Sequence, residues 1–79
     1  MRVVKEINTS DCKVTIFNWN GKFLIKFEQG DLEQTYKVDE LDLIDESDLD
    51  AFTSEDFLKE INENFKTMSK TLNKFHSIL

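Results

Sequence analysis

Apolar and polar residues largely alternate in the stretch CKVTIFNWNGKFLIKF, residues 12 to 27. Alternation is typical of strands with one buried face, and Asn20-Gly21 between the two runs is a strong hairpin signal because both residues tolerate positive φ. A two-residue loop fixes the register and places Phe17 opposite Leu24. One face then carries six residues that we expect to form the core: Cys12, Val14, Ile16, Phe23, Ile25 and Phe27.

Further strands are predicted on both sides of this hairpin. Gly30-Asp31 can form a second tight turn, whose register puts Val38 opposite Phe23 and keeps the core face apolar. Residues 1 to 8 contain β-branched side chains and run into a turn-rich cluster, which predicts a first strand. We therefore expect a sheet over residues 1 to 38 in the form of an antiparallel meander of three to four strands.

The clearest periodicity in the chain lies in residues 54 to 77, which contain neither proline nor glycine. Thr53 or Ser54 can cap a helix here, and the acids that follow favour its first turn. Apolar residues recur at alternating spacings of three and four, as in a heptad stripe. The stripe consists of Leu58, Ile61, Phe65, Met68, Leu72, Phe75 and Leu79. The predicted fold class is α+β, with one domain over residues 1 to 79 in which this long C-terminal helix follows the sheet.

The predicted helix overhangs the sheet that it must cover unless it crosses the sheet lengthwise. About 22 residues make a helix of roughly 33 Å, whereas four strands at about 4.8 Å spacing make a sheet roughly 19 Å across. The surplus of the stripe, from Phe65 toward Phe75, would be exposed in a monomer, so we expect a homodimer or a stable complex with another protein. The alternative is that the stripe only covers the sheet and its last turn frays.

Negative charge is concentrated between the sheet and the helix. Residues 39 to 60 contain ten acids against Lys59, a net charge of −9, although the whole chain carries only −6. We interpret residues 39 to 53 as an acidic connector that its apolar residues pin to the core. The EF-hand pattern does not fit, because no start position supplies both its glycine and its final glutamate.

The face of the sheet opposite the core is unusual because aromatic residues lie among lysines. It is predicted to contain Phe17, Trp19, Leu24, Lys13, Lys22, Lys26 and Lys37. An apolar patch of this kind is typical of a protein interface, so the favoured function is a protein–protein interaction module, a small dimeric adaptor or accessory subunit. The alternative is a single-stranded RNA- or DNA-binding protein, in which the rings stack on bases and the lysines contact phosphates.

The sequence contains few residues that could form a catalytic or metal-binding site. The sequence contains one histidine, His76, and one cysteine, Cys12, far apart, and both glycines belong to predicted turns. We predict no catalytic, cofactor-binding or metal-binding residues, no small-molecule substrate and no enzymatic activity. The lack of an apolar leader, of a long apolar run and of paired cysteines predicts a cytoplasmic protein without a membrane partner.

An antiparallel meander followed by one long dimerising helix resembles, in the order of its elements, the Whirly proteins and the related single-stranded-DNA-binding transcriptional coactivators. The resemblance covers the whole chain but includes no diagnostic motif, so it assigns no binding residue. It implies a sheet face that receives nucleic acid and helices that hold a dimer. The acidic residues 39 to 60 depart from what a nucleic-acid-binding protein would favour.

Overall fold

The computed structural model describes residues 1 to 76. Its elements in chain order are four strands, two 3₁₀ helices and one long helix. The strands are β1 (Arg2–Asn8), β2 (Lys13–Trp19), β3 (Lys22–Gln29) and β4 (Leu32–Asp39). The 3₁₀ helices span Glu40–Asp42 and Glu46–Thr53, and the long helix α1 spans Glu55–His76. The predicted α+β fold, a sheet followed by a C-terminal helix, is confirmed, and the sheet has four strands.

The sheet is a simple antiparallel meander in the order β1-β2-β3-β4. The registers inferred from the two tight turns are correct, since Phe17 pairs with Leu24 and Phe23 pairs with Val38. The turn residues Asn20, Gly21 and Gly30 have φ of 52°, 72° and 58°. These positive values are the left-handed conformation that the hairpin loops require.

The first strand contains an irregularity that the sequence does not indicate. Val3 pairs with Phe17, but Lys5 pairs with Ile16, so the register shifts around Val4. A bulge of this kind inserts one residue into the edge strand. As a result Val3 lies on the same face as Phe17, whereas Val4 packs against the core on the other face.

The core forms between one face of the sheet, the second 3₁₀ helix and α1. All six core residues expected from the hairpin are buried, and they are joined by Leu49, Ile61 and Phe65. Phe57 of α1 completes an aromatic cluster, with its ring centroid 5.7 Å from that of Phe27 and 6.0 Å from that of Tyr36. Aromatic contacts at these distances add to the stabilisation from burial.

The beginning of α1 follows the capping rule. Ser54 is the cap, because its hydroxyl accepts a hydrogen bond from the Phe57 backbone N–H at 3.3 Å. The helix then runs along β4, since Phe57 contacts Tyr36 while the carbonyl of Ile61 accepts a hydrogen bond from the Gln34 side chain at 3.0 Å. This direction carries the helix away from the β2–β3 turn and toward the β3–β4 turn.

The heptad stripe divides into a buried half and an exposed half. Ile61 and Phe65 are fully buried, and Leu58 and Met68 pack against the core. The expectation that the stripe is exposed from Phe65 onward in a monomer is therefore wrong for Phe65 and, in part, for Met68. The reason is that α1 runs along β4, so the length of the strand, about 26 Å for eight residues, decides how much of α1 is covered, and not the width of the sheet. Leu72 and Phe75 are exposed, as expected for a helix that extends beyond the sheet. Leu79 lies outside the described residues.

Candidate interaction surfaces

The outer face of the sheet carries an apolar patch near the β2–β3 turn. Its centre is a cross-strand row in which Val3, Phe17 and Leu24 are neighbours. Trp19 lies next to this row and is 48% exposed, while Phe17 and Leu24 are half-buried. We call these four residues the outer patch. Sequence reasoning missed Val3, since only the bulge in β1 turns it to this side.

The lysines of the outer face are mostly engaged with carboxylates of the same face. The ammonium group of Lys13 lies 3.4 Å from Glu6, that of Lys22 lies 3.8 Å from Asp39, and that of Lys26 lies 3.4 Å from Glu33. Lys37 makes no ion pair within residues 1 to 76. The sheet registers also place Glu28 on this side, so four lysines face four acids and the outer face has no net charge.

The C-terminal half of α1 forms a second surface. Leu72 is 40% exposed and Phe75 is 55% exposed. The charges around them are all positive, because Lys66, Lys70 and Lys74 are the only charged side chains between residues 64 and 75. We call residues 66 to 76 the helix end; it is a basic surface with two exposed apolar side chains.

The acidic connector, residues 40 to 53 in the structure, forms a third surface. Leu43 and Phe52 pack against the core and Leu49 is buried, as expected. The expectation that every apolar residue of the connector pins it to the core is wrong for two of them, since Leu41 is 98% exposed and Ile44 is 100% exposed. The short 3₁₀ geometry explains this, because a tight turn cannot direct all of these side chains inward.

Local hydrogen bonds hold Ile44 in this exposed position. Asp45 caps the second 3₁₀ helix and forms a capping box with Asp48, whose carboxylate also accepts a hydrogen bond from the Ile44 backbone N–H at 2.9 Å. A residue before such a cap often packs against the fourth residue of the helix, which here is Leu49. Ile44 does not, because Leu49 points into the core while Ile44 is fully exposed. The segment is therefore ordered with an apolar side chain directed into solvent.

The connector and the helix end lie at opposite ends of a molecule about 45 Å long. The backbone N–H of Glu40 donates to the carbonyl of Gly21, which fixes the start of the connector at the β2–β3 turn. By contrast, Asn62 of α1 donates to Asp11 in the β1–β2 turn, at the other end of the sheet, and α1 continues beyond that point to His76. The two surfaces therefore cannot meet within one chain.

Three further observations complete the description of the surfaces. A polar cleft of about 650 Å³ lies between the β1–β2 turn and the first half of α1, where it is lined by Asp11, Lys59, Asn62 and Glu63 among others. Within residues 1 to 76, no three histidine, cysteine or acidic side chains are grouped so that they could hold a metal ion. The described part of the chain also contains no helix with the length and hydropathy needed to cross a membrane.

We compared the chain with protein-family models, with curated proteins and with solved structures, and none of the three comparisons finds a match.

Proposed function

We propose that this protein is a non-enzymatic protein–protein interaction module, a small dimeric adaptor or accessory subunit that binds a protein partner through the outer patch. The single observation that carries the proposal is the charge balance of the outer face. Three of its four lysines already contact carboxylates on neighbouring strands, so the surface around Phe17 and Trp19 is apolar and neutral. Such a surface is suited to another protein, because Lys37 is the only one of its four lysines without a carboxylate partner within residues 1 to 76, so desolvating the face leaves little unpaired charge.

Single-stranded nucleic acid is the less favoured partner for the same reason. Binding of a polyphosphate chain would require Lys13, Lys22 and Lys26 to leave their carboxylate partners, which would then lie close to the phosphates. Trp19 offers an exposed ring for stacking, but one ring and Lys37, which makes no ion pair within residues 1 to 76, form a small site. An aromatic residue at the centre of a protein interface is a common anchor, so the same exposed ring fits the proposed function.

The proposal is tested by capture of a partner with matched variants. Trp19→Ser removes a half-exposed side chain and should leave the fold intact, whereas Lys59→Ser is a control on an exposed position of α1. We expect the wild-type protein and the control to retain the same protein partner from extracts of the source cells, and Trp19→Ser to lose it. The partner must then bind again when both proteins are purified. Equal capture by Trp19→Ser would contradict a role for the outer patch.

A fluorescence titration addresses the alternative directly, since Trp19 is the only tryptophan. Mixed-sequence single-stranded RNA and DNA are added at low and at moderate salt while the emission of Trp19 is followed. The proposed function predicts unchanged emission. Saturable quenching that weakens steeply with salt would favour nucleic acid, because phosphate contacts release counterions.

A further inference from the structure

We propose that two copies of this chain associate by docking the exposed Leu41 and Ile44 of one acidic connector onto Leu72 and Phe75 of the other copy's helix end. The inference rests on the dimeric part of the proposed function and names the surfaces that make the dimer. It differs from a simple helix-to-helix seam, because the apolar half of α1 that could form one is already used by the core.

The two surfaces carry opposite charges, and both expose apolar side chains. Leu41 and Ile44 are almost fully exposed, and the segment around them carries only acids, since no lysine or arginine occurs between Lys37 and Lys59. The helix end presents exposed Leu72 and Phe75 among three lysines. Apolar contact therefore supplies affinity, while opposite charges around it supply orientation and specificity.

Contact between two helix ends is unfavourable by comparison. A symmetric pairing centred on Leu72 and Phe75 would bring Lys70 and Lys74 of both copies close together, and like charges near an interface are destabilising. Lys74 already lies over the ring of Phe75, with its ammonium group 5.5 Å from the ring centroid. The charges around the exposed apolar pair of the helix end therefore favour an acidic partner surface, and within residues 1 to 76 the connector is an acidic surface with exposed apolar side chains.

The geometry of one molecule favours a closed pair. The connector and the helix end lie at opposite ends of the protein, so two copies arranged side by side and antiparallel can form the same contact twice around a two-fold axis. Such an isologous arrangement closes on itself and is the commonest form of homo-oligomer. It also buries all eight exposed side chains of the two contacts, which no monomer can do.

Charge reversal at positions without intramolecular ion pairs provides a sharp test. Variant A carries Asp42→Lys and Glu46→Lys, and variant B carries Lys70→Glu and Lys74→Glu; within residues 1 to 76 none of these four side chains forms an ion pair. Variant A places two lysines beside Leu41 and Ile44 and changes the net charge of residues 40 to 53 from −6 to −2, whereas variant B changes the net charge of residues 66 to 76 from +3 to −1. In a mixture, however, the two new lysines of A's connector can face the two new glutamates of B's helix end, while the unchanged helix end of A faces the unchanged connector of B.

Sedimentation of the full chain at concentrations up to the order of 100 μM measures the outcome. We expect the wild type to dimerise, each variant alone to self-associate at least about tenfold more weakly, and an equimolar mixture to recover a mixed dimer. Lys37→Glu with Lys59→Glu changes the net charge as B does, but at positions outside residues 40 to 53 and 66 to 76, and should dimerise. Leu41→Ser with Ile44→Ser should abolish dimerisation without changing the unfolding midpoint of the dilute protein.

Two results would overturn the inference in different ways. If the wild type dimerises and neither A nor B weakens it, the dimer stands but uses another surface, and the proposed adaptor keeps its dimeric form. If the wild type remains a monomer throughout, both the inference and the dimeric part of the proposed function are wrong. Capture of a partner through Trp19 is measured independently and can succeed in either case.

Discussion

Truncation of Phe65 and Phe75, the two phenylalanines of the α1 stripe, should distinguish its buried half from its exposed half. Phe65 is 0% exposed and lies in the core, whereas Phe75 is 55% exposed beyond the sheet. Replacing a buried phenylalanine by alanine costs about 3 to 5 kcal/mol, because apolar contacts are lost and a cavity remains. Burying a phenylalanine fully contributes about 1.5 to 3 kcal/mol, so Phe75, less than half covered, should contribute about 1 kcal/mol.

Urea unfolding of dilute protein measures this difference. For a chain of this size the free energy of unfolding changes by about 1 kcal/mol per molar urea, so Phe65→Ala should lower the midpoint by roughly 3 M or more and Phe75→Ala by about 1 M. Far-UV circular dichroism follows the helix and Trp19 emission follows the sheet. The midpoint shifts should not depend on protein concentration in the dilute range.

The total stability of a 79-residue protein is only about 4 to 12 kcal/mol, so Phe65→Ala can leave the protein unfolded. Phe65→Leu is the milder variant, with an expected cost of about 1 kcal/mol because most of the volume is kept. The division of the helix stripe would be refuted if Phe75→Ala destabilised dilute protein as much as Phe65→Ala does. It would also be refuted if Phe65→Ala were nearly neutral.

Three further substitutions test local features by thermal or urea unfolding. Gly21→Ala should lower the free energy of unfolding by about 1 to 2 kcal/mol. The cost comes from the positive φ of +72° and not from a clash, because no atom lies within 4 Å of the added Cβ. A neutral result would contradict the hairpin conformation. Ser54→Ala should lower the free energy of unfolding by about 1 kcal/mol, because the helix cap is lost. Ser54→Asp should keep most of this stability, since aspartate also caps helices, and an equal loss in both variants would argue against capping. Lys26→Gln removes the surface ion pairs to Glu28 and Glu33 and should lower the free energy of unfolding by no more than about 1 kcal/mol. A larger loss of stability would mean that these pairs are more strongly coupled than exposed ion pairs usually are.

Local patterns were sufficient to predict the sheet and the existence of the helix. The Asn20-Gly21 loop sets the pairing of β2 with β3 because only a two-residue turn with positive φ joins the two runs, and a shift of one residue would expose Phe27. In the same way, Ser54 with the acids after it marks where α1 begins. These features depend on residues that are close in sequence.

The candidate surfaces were predicted only in part. Phe17, Trp19 and Leu24 could be assigned to the outer face from alternation alone, but Val3 could not, because a bulge in β1 moves it there. The ion pairs on that face could not be predicted from the sequence either. Which lysine meets which carboxylate depends on how side chains of neighbouring strands are placed, as for Lys26 of β3 with Glu33 of β4.

The sequence by itself determined the order of the elements, the registers of β2 with β3 and of β3 with β4, and the apolar stripe of α1, since each follows from the period of side chains along a strand or helix. Tertiary structure alone decided which part of that stripe is covered, because coverage depends on how far the sheet and the second 3₁₀ helix extend beneath α1. For the same reason Phe65 is buried while Phe75 is exposed, and Leu49 is buried while Ile44 is exposed. Apolar character is a property of the residue, but burial depends on what the rest of the chain places against it.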